Sequence, residues 1–303
     1  MLLRETLNSA IQRLTAASVP SPRMNAELLL IFTLGCDRAY LYGHPERELT
    51  EDEQSRYEEA LGLRSKGLPA QYITGHQEFW GMDLIVSPAV LIPRPETEHV
   101  IETVLGLVAA SSFTGETPVA PQENWNLERR ASSPGHPYHI VDVGTGSGCI
   151  ALALARELPH AEIHATDISP EALEIAEANA ARHQMTNRIQ FHDTDLLKSL
   201  PLGYFDFVVS NPPYVGESEE DTVQLEVRKF EPRGAVFAGT TGLEVIEQLI
   251  PQAREALKPG GWLVMEMSGT IAGQVVGLLS GWENMEIAND LQGIARVVSA
   301  QRA

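Results

Sequence analysis

Two short segments of this 303-residue chain have residue types and spacing that suit chemistry. The first is Asp142-Val143-Gly144-Thr145-Gly146-Ser147-Gly148, which follows an apolar, strand-like run. Glycines there let the backbone turn tightly and come close to a ligand. A helix starting there also offers unpaired amide hydrogens. A dinucleotide fingerprint reads G-x-G-x-x-G or G-x-G-x-x-A. In this chain the third glycine comes one residue early, and Cys149 takes the final position. The acid at Asp142 is awkward beside a pyrophosphate and suits a cation. S-adenosylmethionine carries a sulfonium and an ammonium group and no phosphate. Asp167 ends the next strand-like run, where a carboxylate can accept two hydrogen bonds from a ribose diol. Its other role, as a helix cap, is already filled by Ser169 ahead of Pro170. Asp195 and Leu196 follow the third such run and would border the adenine. Asp195 would accept from the exocyclic amine and Leu196 would pack on the ring, although a solvated acidic loop explains either residue alone equally well.

The second segment is Asn211-Pro212-Pro213-Tyr214, at the end of a fourth strand-like run. Two prolines make a stiff, donor-poor backbone, Asn211 supplies a side-chain acceptor, and Tyr214 a flat face. An amide or aryl-amine nitrogen is a poor nucleophile because its lone pair is delocalised. The Asn211 oxygen and the Pro212 carbonyl can hold its two N–H groups and favour the charge that develops on attack. Stacking on Tyr214 would align the plane, and the rest is proximity. Nucleic-acid adenine methylation would use the same parts, but needs a basic groove and a way to extrude the base. A non-catalytic nucleotide-binding module is a third reading, but it would not need an amide-gripping tetrapeptide.

These segments need a framework that brings strand ends together. From His139 onward the pattern is strand, loop and helix, repeated. Strands are expected at His139–Val143, Glu162–Asp167, Arg188–His192, Phe205–Ser210 and Trp262–Met267, with a final antiparallel hairpin from Met285–Ala288 and Ala295–Ala300. Helices are expected at Ile150–Leu158, Pro170–His183 and Leu243–Leu257, the last ended by Lys258-Pro259-Gly260-Gly261. The fold class is α/β, with a mostly parallel, doubly wound sheet of seven strands. Ligands of such sheets bind outside the carboxyl ends of the strands, so the glycine loop and the tetrapeptide face one cleft.

Upstream, residues 1–74 read as a small helical domain. Ser21-Pro22 opens a helix over Arg23–Leu34, and Thr50-Glu51-Asp52-Glu53 is a capping-box pattern before another helix reaching about Lys66. Residues 75–97 form a linker in which Glu78–Val86 reads as two short strands around a turn. The third unit, 98–303, opens with a helix at Glu98–Ala110. Residues 111–138, with Trp125, are rich in Ser, Thr, Pro and Gly and are expected as a flexible surface insertion.

Composition narrows the function classes. Lys+Arg total 22 against 41 Asp+Glu, a formal charge of −19, which argues against a protein built to grip nucleic acid. Cys36 and Cys149 make no disulfide framework and fit a reducing compartment. No Cys and His cluster has zinc-ligand spacing, so no metal is expected. The N-terminus has no signal-peptide pattern, and the apolar runs fall short of a membrane span. The expectation is a soluble cytoplasmic protein without a membrane partner.

Asp142–Gly148 together with Asn211–Tyr214 resembles the amino-methyltransferases that use S-adenosylmethionine, a group that includes DNA adenine methyltransferases. Further segments narrow the resemblance: Pro69-Ala70-Gln71-Tyr72-Ile73-Thr74-Gly75, Phe79-Trp80-Gly81, Leu91-Ile92-Pro93-Arg94-Pro95-Glu96-Thr97-Glu98 and Asp290–Val298. With these, nearly the whole chain resembles the peptide chain release factor glutamine methyltransferases. The resemblance implies a Rossmann-like class I methyltransferase domain, a helical domain that docks the protein substrate, and a β-hairpin joining them. It implies methylation of the glutamine side-chain amide in the Gly-Gly-Gln motif of release factors. Gly144, Thr145, Gly146, Ser147, Gly148, Asp167, Asp195 and Leu196 would hold the cofactor, and Asn211, Pro212, Pro213 and Tyr214 the glutamine. Arg94 and Glu96 fit a cleft wall or a hinge equally well. Ala238–Leu243 is a loosened version of the family's glycine-rich turn. The acidic tract Glu217–Asp221 is expected to attract a basic substrate surface.

Overall fold

Residues 1–111 and 137–303 are described here, from a computed structural model. Most of the expected insertion, including Trp125, lies outside the described residues.

Five helices form the N-terminal part: Leu3–Ala16, Pro22–Leu34, Arg38–Gly43, Glu51–Ser65 and Ala70–Thr74. The Thr50 capping box closes as the sequence predicts. Thr50 Oγ1 accepts from the Glu53 amide at 3.2 Å, and Glu53 accepts from the Thr50 amide at 2.9 Å. Ser21 differs from expectation. Pro22 does start its helix, but Ser21 is left-handed, with φ 46°, and its side chain caps nothing. Leu3, Leu14, Leu29, Leu30, Tyr57 and Leu61 are buried together between these helices.

The strands β1 (His76–Phe79) and β2 (Met82–Ile85) make the expected hairpin. Its Phe79, Met82 and Leu84 are buried in the core of the large sheet. Asn179, on the helix Pro170–Arg182, locks it down. That side chain accepts from the Ile85 amide at 2.7 Å and donates to the carbonyls of Ile85 and Ser147, both at 2.9 Å. One amide thus ties the hairpin to the glycine loop.

The remaining strands are β3 (His139–Val143), β4 (Glu162–Asp167), β5 (Ile189–Asp193), β6 (Phe205–Ser210), β7 (Leu257–Glu266), β8 (Glu283–Asn289) and β9 (Ala295–Gln301). They form one seven-stranded sheet in the order β5-β4-β3-β6-β7-β9-β8. Pairs up to β7 are parallel, and β9 pairs antiparallel with β7 and β8. Side chains alternate across each strand. Ile140 faces a layer holding the helices Glu98–Ser111 and Cys149–Glu157, while Val141 and Val143 face the helices Glu244–Ala256 and Ala272–Leu278.

One boundary differs in kind. Lys258-Pro259-Gly260-Gly261 does not separate helix from strand but lies inside β7. Phe205 pairs with Leu257 and Phe207 with Trp262, so the extra residues bulge out of register. Gly261 permits this, because a Cβ there would come within 3.1 Å of the Phe205 carbonyl oxygen.

The chain winds outward from β3 in both directions, so the order reverses between β3 and β6. Val143 and Ser210 are register partners there, and the crevice at such a switch point is where ligands of this fold class bind.

Candidate active site

The glycine loop leaves β3 in a conformation that L side chains rarely adopt. Gly144, Gly146 and Gly148 have φ of 70°, 55° and 81°. At Gly144 and Gly146 a Cβ would meet nothing within 4 Å, so the backbone there is bare toward open space. Gly148 has a packing role instead: a Cβ would lie 3.2 Å from the Ala176 Cβ. The Thr145 amide donates to the Thr166 carbonyl at 2.8 Å, and the Gly146 amide to Asp167 Oδ2 at 2.9 Å. Asp167 Oδ1 accepts from the Ser169 amide at 3.0 Å. Ser169 itself caps the following helix by accepting from the Ala172 amide at 3.1 Å. Burial raises the Asp167 carboxyl above its usual range, against the pull of these backbone donors.

Asp142 is fully buried. Its Oδ2 accepts from Thr145 Oγ1 at 2.6 Å and from the Ala151 amide at 3.1 Å. Its Oδ1 is buried with no partner among the described residues. Burial pushes this carboxyl up to about 7, and the charge of Asp167 adds to the rise. An unpartnered buried acceptor is costly unless something polar meets it. The bare backbone at Gly144 and Gly146 suits a ligand with a close-lying chain, and the buried acid beneath it favours a cation through its field; S-adenosylmethionine fits on both counts. Asp195 is less open. Its carboxylate pairs with Lys198, while the Thr194 amide donates to the Asp167 carbonyl at 3.0 Å and holds this loop beside β4. Leu196 is left-handed, with φ 53°, and packs partly buried on the second core layer.

The tetrapeptide lies across the crevice. Ser210 Oγ donates to the Val143 carbonyl at 2.7 Å and couples the two strand ends. Asn211 Nδ2 donates to Thr97 Oγ1 at 3.0 Å, and Thr97 Oγ1 donates to Glu266 Oε2 at 2.7 Å. The Tyr214 hydroxyl donates to Glu266 Oε1 at 3.0 Å. Pro212 is buried and Pro213 half-buried between them. Glu266 is buried, which raises its carboxyl; the hydrogen bonds from Thr97 and Tyr214 lower it. Burial also pushes the Tyr214 phenol well up, as does the charge of Glu266.

Sequence reasoning missed Thr97 and Glu266. Glu266 had a signal: it ends an apolar strand with an acid, as Asp142 does. Thr97 lies in the Leu91–Glu98 segment that carries the resemblance, but nothing local marks its role, because only the fold brings the linker over the strand ends.

Arg94 forms an ion pair with buried Glu231, which also accepts from the Ile92 amide at 3.2 Å, so Arg94 ties the linker to the segment after the tetrapeptide. Glu96 adds to the negative field at Glu266 and Tyr214. The glycine-rich turn clasps the tetrapeptide: a Cβ at Gly242 would lie 2.5 Å from the Tyr214 carbonyl oxygen. In the acidic tract, Glu220 pairs with Arg233 and Asp221 with Arg228, so part of its charge is answered within the chain. A separate cavity of about 200 Å³ at the junction with the N-terminal helices is lined by Met24, Leu28, Arg64 and Glu231.

Comparison with known proteins identifies the fold and the family. The family model for the PrmC N-terminal domain matches residues 5–75, and that for the methyltransferase small domain matches residues 128–229. A release factor glutamine methyltransferase of Koribacter versatilis is 52% identical over 304 residues, covering 100% of this chain and 99% of the relative. Proteins of the same name from Geobacter sulfurreducens (36% identical, 99% and 96% covered) and Moorella thermoacetica (38%, 100% and 99%) also align end to end. Among solved structures, the hMettl16 catalytic domain with MAT2A 3'UTR hairpin 6 has TM-score 0.54 at 17% identity, over 84% of this chain and 82% of that one. The T. Thermophilus 16S rRNA N2 G1207 methyltransferase (RsmC) with AdoMet and guanosine has TM-score 0.51 at 16% identity, over 75% and 50%. These two likenesses show the class I methyltransferase fold, while the end-to-end relatives go further: this chain belongs to the release factor glutamine methyltransferase family.

Proposed function

We propose that this chain methylates the side-chain amide nitrogen of the glutamine in the Gly-Gly-Gln motif of peptide chain release factors. The observation that carries this reading is the Asn211 amide, held by Thr97 at the switch point beside the glycine loop. S-adenosylmethionine, when bound, supplies an electrophilic methyl group on a sulfonium whose sulfur keeps the bonding pair. Gly144, Gly146, Asp142 and Asp167 would hold it, with Thr145 and Ser147 completing the loop, Gly148 the close packing, and Asp195 and Leu196 the far wall.

Asn211 Oδ1 and the Pro212 carbonyl accept the two N–H groups of the substrate amide. Pro213 keeps the backbone rigid, and Tyr214, tethered through its hydroxyl, presents its ring. The amide nitrogen forms the new N–C bond with its lone pair and then gives up one proton to water. No strong base is needed before attack, because holding the N–H groups with two acceptors favours positive charge on the nitrogen.

The chain divides into a docking unit at 1–74, a linker at 75–97 and a catalytic unit at 98–303. The end of the helical run at Thr74 and the hairpin that follows support these bounds. Among the described residues no helix is long and apolar enough to cross a membrane, and a cytoplasmic setting follows from the substrate.

The test is to incubate the chain with labelled S-adenosylmethionine and either a release factor or duplex DNA. Label is expected on the release factor and is lost when its motif glutamine becomes alanine. Label on DNA alone would overturn the reading.

A further inference from the structure

We infer that the Glu266–Thr97 pair fixes which end of the Asn211 amide meets the substrate, and so makes the site select glutamine over glutamate. The inference rests on the reading that a glutamine amide lies against Asn211. A carboxylate only accepts hydrogen bonds, and a threonine hydroxyl has a single hydrogen to donate.

Both Glu266 oxygens are engaged. Oε2 takes the Thr97 hydroxyl hydrogen at 2.7 Å and Oε1 that of Tyr214 at 3.0 Å. With its hydrogen committed, Thr97 can only accept from Asn211. Asn211 therefore turns Nδ2 toward Thr97, at 3.0 Å, and leaves Oδ1 at the other end of its amide. Thr97 is buried, at 2% exposure, so water does not compete for the bond.

The consequence is specificity. A glutamine amide brings two N–H donors to a site of two acceptors, Asn211 Oδ1 and the Pro212 carbonyl. A glutamate carboxylate brings only acceptors and is repelled. Without the relay, the Asn211 amide is free to turn end for end and offer an N–H to that carboxylate. Glu266 and Thr97 are thus positioning residues, acting through Asn211.

The test compares the binding of two release factors by calorimetry, one with the motif glutamine and one with glutamate in its place. The wild-type chain is expected to prefer the glutamine form by at least about tenfold. Thr97→Val keeps the side-chain shape but removes the hydroxyl, and should narrow that preference about tenfold. Thr97→Ser restores the hydroxyl and should restore the preference. An unchanged ratio in Thr97→Val, or equal narrowing in Thr97→Ser, overturns the inference. In the first case the relay does not orient Asn211, and in the second packing explains the loss. A wild-type chain that methylates no release factor brings down the glutamine reading, and this inference with it. A failed ratio beside normal methylation brings down the inference alone.

Discussion

Asp142→Asn keeps the shape of a buried side chain and its two accepted hydrogen bonds but removes the charge. In the free protein burial holds this carboxyl at about 7. Below that value it carries a proton, and the proton belongs on Oδ1, which has no partner among the described residues. A cation bound in the glycine loop above this buried carboxyl favours its charged form and displaces that proton. The ammonium of the ligand, at an ordinary α-amino value of ~8, is already charged at about pH 6. With the pH about one unit below the carboxyl's value of about 7, roughly nine-tenths of the free protein is protonated there. Binding should therefore release close to one proton per S-adenosylmethionine.

The same rise sets the sign for stability. The unfolded carboxyl loses its proton near its ordinary value of 3.8, and the folded one holds it to about 7. Stability from this group is thus complete below about pH 4, falls as pH rises toward about 7, and levels off above it. Roughly three tenfold steps at about 1.4 kcal/mol each come to ~4 kcal/mol. The measurement is calorimetric titration of S-adenosylmethionine at about pH 6 in two buffers of different ionisation heat, which counts protons. The wild-type count should exceed that of Asp142→Asn by ~0.9. Equal counts would refute the reasoning and leave Asp142 as a structural acid.

Asn211→Ala should cut turnover by about a hundredfold or more and leave cofactor affinity within ~3-fold, as kinetics and direct binding would show. Lost cofactor binding with normal turnover would contradict its role. Gly242→Ala should lower stability by about 2–3 kcal/mol, because the residue is left-handed and faces the Tyr214 carbonyl. Gly203→Ala, also left-handed but with open space around it, is the matched control in thermal unfolding. Neutralising Glu217 and Glu219 to Gln should slow association with the release factor and weaken its salt dependence in stopped-flow measurements. Unchanged rates would end the steering idea.

Local rules carried most of the fold. Strand and helix periods, the Thr50 capping box, and the glycine loop are set by neighbours in sequence, so they could be read there. The ends drifted where neighbours conflict. Lys258-Pro259-Gly260-Gly261 has turn chemistry, yet pairing with β6 absorbs it as a bulge in β7. Ser21 has cap chemistry, yet its left-handed backbone leaves the side chain unused.

The reacting parts were legible because their residue types are unusual and contiguous: a glycine run behind an acid, and Asn211 ahead of two prolines. By itself the sequence determined that such a loop and such a tetrapeptide sit at strand ends. Only the tertiary structure decided how they are held. Thr97 and Glu266 lie far apart in the chain, and a hydrogen bond between them depends on where the linker crosses the sheet. The direction of the Asn211 amide, and the unanswered oxygen of Asp142, follow from that packing. Burial is what makes both matter, since a polar group shut away from water has to find its partner within the fold or in the ligand.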